Sequence, residues 1–144
     1  MSTTGGADAS ALVALAGSLV AHECAQGDVS ERTAVTRTIA KMFFELVPLI
    51  GSAGVLALFA RSVLKAKARC KPLDALVITV ESIDAACSEL ERRFAAIPTA
   101  DVIDAGTTLS ASFLALVSTF IGERLTLQLL QNAWPMIALV KEPK

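Results

Sequence analysis

Tyrosine is absent from the 144 residues, and His22 and Trp134 are each the single member of their type. One histidine excludes HExxH zinc sites, Glu-x-x-His di-iron pairs and His-clustered metal centres. It also leaves a Ser or Cys nucleophile only His22 as an imidazole base, and the adjacent Cys24 sits on the wrong helical face for it. Cysteine is scarce: Cys24, Cys70 and Cys87 are an odd number with no CxxC spacing. That excludes a disulfide scaffold and reads as reduced thiols in a cytoplasmic protein. Charge is also low, with 19% charged residues and a net charge of −1. The usual charged share is about 25%. A polyanion-binding surface, and nucleic acid as a partner, are therefore not expected. The glycines form neither GxGxxG nor a P-loop. No Lys or Arg precedes the apolar stretch Ala11–Ala21, so a secretory n-region is missing, and no lipidation motif is present.

What the sequence has in quantity is apolar residues, 53% of the chain. This excludes disorder for the body of the chain and suits one domain burying roughly two-thirds of its unfolded surface. Helical periodicity dominates, and no segment alternates as a strand does. Leu76, Val80, Ile83, Cys87, Leu90 and Phe94 recur at steps of four and three, which predicts a helix over 73–94 with Pro72 in its first turn. Further helices are expected over 9–24, from Ser30 to Pro48, over 52–69, from Thr99 to Ile121, and from Glu123 to Ala133. Ser30 is the expected N-cap of the second. Pro48 is expected to kink or end that helix, and Gly51 to permit a sharp turn. The fold class is all-α: a compact bundle of five to six helices in one domain over 9–140, with tails at 1–8 and 141–144. Short loops favour antiparallel packing of consecutive helices.

An internal similarity runs at an offset of 71 residues, pairing Leu49 with Phe120, Ile50 with Ile121, Gly51 with Gly122 and Leu58 with Leu129. In each copy an apolar helix meets an Ile-Gly break and a second apolar helix begins. Two similar helical hairpins follow from this, or a chance likeness between apolar helices.

Two surfaces stand out. The segments 99–121 and 123–133 are apolar on nearly all sides, more than one small bundle covers easily. Leu109, Phe113, Leu116, Phe120, Leu127, Leu130 and Trp134 are thus candidate interface residues for a second copy of the chain or another protein. Residues 61–71 carry five basic side chains and no acid, whereas 72–104 carry a net charge of −5. Arg61, Lys65 and Arg69 form a candidate docking patch, or the solvated basic face of a helix beside an acidic one. Among uncharged windows only 105–122, at 18 residues, reaches the length of a membrane span, and it carries six hydroxyl side chains. The expectation is a non-enzymatic, self-associating interaction or regulatory module without cofactor or metal. The alternatives are a membrane-inserting bundle, and a carrier or enzyme with an apolar pocket between hairpins.

Overall fold

The computed structural model describes residues 9–26, 30–74 and 82–135. Five α-helices follow one another: α1 (Ala9–Ala25), α2 (Glu31–Lys67), α3 (Ile83–Ala95), α4 (Thr99–Ile121) and α5 (Glu123–Ala133). A 3₁₀ turn, Lys71–Leu73, follows α2, and no strand occurs among the described residues. The chain is all-α, as the periodicity requires. The expected tails and residues 136–140 lie outside the described residues.

Local chemistry explains the helix ends. Ser30 takes extended backbone and its hydroxyl accepts the Thr33 amide at 3.2 Å, satisfying one orphan donor of α2. Ser82 does the same for α3, accepting the Ala85 amide at 3.1 Å. This corrects the expected helix over 73–94. Leu73 belongs to the 3₁₀ turn and α3 starts only at Ile83, because Ser82 at φ −144° lies outside helical backbone. Leu76 and Val80 lie outside the described residues, so the apolar stripe is traced from Ile83 to Phe94 alone.

Pro48 does not end α2. The helix runs through it to Ile50, and the break falls at Gly51, where φ is 83° and ψ is 159°. Pro48, which withholds the amide that the Phe44 carbonyl would accept, and Phe44 are both exposed residues. The chain then turns back. Phe43 and Phe59 each stand eight residues from Gly51, and their ring centroids are 5.0 Å apart. Sixteen residues of unbroken helix would separate them by about 24 Å. Gly122 repeats the conformation between α4 and α5, with φ 97° and ψ 149°. An L-side chain rarely enters this region, so glycine is required at both corners.

The first arm of α2 (31–50) and α4 lie side by side and parallel. Val35 meets Gly106, and eight residues further along α2 and seven along α4 Phe43 meets Phe113 at 5.7 Å. Gly106 permits this approach: a Cβ there would lie 2.4 Å from Val35 Cγ2. Both Ile-Gly corners therefore emerge at the same end of the bundle. Phe43, Phe59 and Phe113 form a closed triangle of edge-to-face contacts at the centre of the core, 5.0 to 5.7 Å between centroids. The helix α1 packs along α4, with Gly17 beside Thr107. The helix α3 packs on α2, where Arg32 donates from Nε to the Phe94 carbonyl at 2.9 Å and from Nη2 to that of Ile97. Arg32 thus adds a second donor to the Phe94 carbonyl, which also accepts the Ile97 amide at 3.2 Å, and pairs the Ile97 carbonyl just beyond α3.

Candidate functional site

The most buried charge in the described structure is Glu23, in the last turn of α1, with 1% of its surface exposed. Its Oε2 accepts from Lys41 Nζ at 2.6 Å and from Trp134 Nε1 at 2.8 Å. Lys41 Nζ also stands 5.4 Å from the centroid of the Trp134 ring. A buried carboxylate needs such donors to offset its lost hydration. The cluster ties the end of α1, the middle of α2 and the residue after α5 into one knot. The sequence carries no signal for the meeting of Glu23 with Lys41 and Trp134, because residues 18 and 111 apart in the chain share no periodicity.

Burial pushes all three thiols above their ordinary value of 9.0. Nearby carboxylates add to it: Glu31 and Glu23 at Cys24, Asp104 at Cys70, and Asp84 and Glu91 at Cys87. The Cys70 thiol also donates to Asp104 Oδ2 at 3.8 Å. Each thiol is thereby held protonated at neutral pH, the reverse of what an attacking cysteine needs. No group of three or more His, Cys, Asp or Glu side chains suited to a metal occurs among the described residues.

The candidate interface residues divide sharply. Leu109, Phe113, Leu130 and Trp134 are buried within the single chain, Leu116 and Leu127 are half-buried, and Phe120 is 63% exposed. The apolar surplus of α4 and α5 is thus absorbed largely by α1 and α2. Uncovered apolar side chains occur instead on α2: Phe44 is 67% exposed, Leu49 46% and Leu64 68%. With Phe120, Leu49 marks the two Ile-Gly corners. The helices α2 and α4 are long and apolar enough to cross a membrane, although Gly51 interrupts the first.

Arg61, Lys65 and Arg69, the candidate docking patch, are all exposed, and none forms an ion pair among the described residues. Lys65 and Arg69 stand at the mouth of a cavity of about 260 Å³ between α1, the end of α2 and α4, and Arg61 lies outside it. No family model, no curated protein and no solved structure matches the chain.

Proposed function

We propose that this chain is a small non-enzymatic interaction module that pairs with a second copy of itself through its two Ile-Gly corners. The observation that carries the reading is the exposure of Leu49 and Phe120 at the same end of the bundle, beside the two Ile-Gly corners. Exposed bulky apolar groups brought together on one surface mark contact sites rather than ordinary surface. The charges beside them suit a two-fold pairing. Glu123 and Arg124 are adjacent, exposed and without an ion pair among the described residues. Across a two-fold axis, Glu123 of one copy meets Arg124 of the other. A net charge of −1 sets little repulsion between copies. Three unpaired thiols suit a reducing, cytoplasmic setting.

The test is the absolute mass in solution by light scattering. Wild type is expected at twice the 15.0 kDa chain mass. The double substitution Leu49→Glu with Phe120→Glu is expected at the single mass with unchanged helicity. A monomeric wild type overturns the reading.

A second reading, insertion into a membrane, draws on one observation. The apolar window of α2 has a mean hydropathy of 2.0, yet only 28% of it is buried. Flotation of the wild-type chain with liposomes, lost in the same double variant, would bring that reading forward. The internal similarity belongs here too, as a proposed duplication of a hairpin. An experimental structure in which residues 31–67 fail to superpose on 99–133, with Gly51 over Gly122, would dismiss it.

A further inference from the structure

We infer that the cavity beside Lys65 and Arg69 binds a small organic anion with a short apolar tail, of the class of a medium-chain carboxylate. The cavity has a volume of about 260 Å³ and opens to solvent between α1, the end of α2 and α4. Its floor is apolar: Leu12 and Val13 of α1, and Ala111 and Ala115 of α4. The opening exists because small residues meet there. Ala68, Ala111, Ser112 and Ala115 all line it, where larger side chains would fill more of the gap.

The chemistry of the walls differs from one side to the other. Lys65, in the last turn of α2, and Arg69, two residues past its end, bring two cations to the cavity. Both are exposed, and neither is neutralised by a carboxylate among the described residues. Ser112 adds a hydroxyl within the walls. A carboxylate can be met by two charged donors at the mouth while its tail covers the alanine floor. Guanidinium and carboxylate suit each other in geometry as well as charge. A neutral alcohol would gain the floor without the cations, and inorganic phosphate the cations without the floor. The volume limits the tail, since the cavity is somewhat smaller than the ~300 Å³ lower end of common ligand pockets. Phe44, Leu49 and Phe120 do not line it, so the inference stands apart from the pairing of corners.

The experiment is a titration of the full-length, isotope-labelled chain with sodium octanoate, octanol or inorganic phosphate, followed by amide NMR shifts. Octanoate is expected to shift the amides of Leu12, Arg69, Ala111 and Ser112 in a saturable manner, and more tightly than either control. Lys65→Gln with Arg69→Gln is expected to weaken octanoate about tenfold or more and to leave octanol nearly unchanged, as loss of charged hydrogen bonds implies. Ala115→Leu, which fills the floor, is expected to abolish octanoate shifts. Because Lys65 and Arg69 are exposed, the double Gln variant should stay folded, with unshifted Trp134 indole resonance. The inference is overturned if octanoate moves none of these amides, if the Gln variant binds it unchanged, or if octanol or phosphate binds as tightly.

Discussion

Trp134 and Glu23 are 111 residues apart in the chain and 2.8 Å apart in the fold, joined by an indole N–H donated to a buried carboxylate. Lys41 donates to the same oxygen and is the partner nearer to water, with 37% of its side chain exposed against 1% for Glu23. The knot closes the bundle where α5 ends. Trp134→Phe removes the indole donor and also shrinks a fully buried ring, and is expected to lower unfolding free energy by at least about 1–3 kcal/mol. Lys41→Met leaves Glu23 buried with the indole alone and is expected to lower it by about 3 kcal/mol. Urea unfolding midpoints of the two variants test both. Equal stability to wild type in the Lys41 variant would show that water replaces the ammonium.

The corners make a prediction about backbone alone. A Cβ at Gly51 or Gly122 would meet nothing within 4 Å, so any penalty there comes from the positive φ. Gly51→Ala and Gly122→Ala are each expected to destabilise by about 1–3 kcal/mol. Gly54→Ala is the control. Its Cβ would sit in ordinary contact, 3.4 Å from Ile50, and helix propensity favours the change by up to about 1 kcal/mol. Opposite signs in thermal melts would establish that conformation, and not space, selects glycine at the corners.

Phenylalanines should behave in two groups. Phe59 and Phe113 belong to the buried triangle, and replacing either by Ala is expected to destabilise by about 3–5 kcal/mol. Phe44 and Phe120, both more than 60% exposed, are expected to tolerate Ala within about 0.5 kcal/mol in the monomer. A loss of several kcal/mol in Phe120→Ala that depends on protein concentration would instead report the proposed pairing of copies.

The thiols make stability depend on alkaline pH. Burial, followed by the neighbouring carboxylates, raises each thiol in the folded chain above its ordinary 9.0. Below that value the folded and unfolded chains hold the same protons and the thiols leave stability unchanged. Above it the unfolded chain loses protons first, so stability falls as pH rises toward the folded values. Urea midpoints at pH 8 and at about pH 10 should differ more in wild type than in the Cys24→Ala, Cys70→Ala, Cys87→Ala triple variant. An identical pH response in both chains would remove the thiols from the account.

The corners, the Ser30 cap and the last two helices were legible because their causes are local. Ile50-Gly51 and Ile121-Gly122 end apolar helices where only glycine accepts the backbone, and Ser30 carries its cap in its own side chain. The helix over 73–94 was misjudged at its start, because a stripe of apolar positions carries no mark of where Ser82 interrupts it. Of the expected kink or end at Pro48 and sharp turn at Gly51, the helix passes Pro48 and breaks three residues later at Gly51.

By itself, the sequence determined an all-α chain, the places where it bends, and the shortage of catalytic groups. Tertiary structure alone decided that the first arm of α2 runs parallel to α4 through Val35 and Gly106, and that Trp134 faces Glu23. It also decided that the open apolar side chains are Val13, Phe44, Leu49, Leu64 and Phe120 rather than those along α4 and α5 as a whole. The reason is geometric. A period of 3.6 residues says which side of a helix avoids water, but not which other helix covers it.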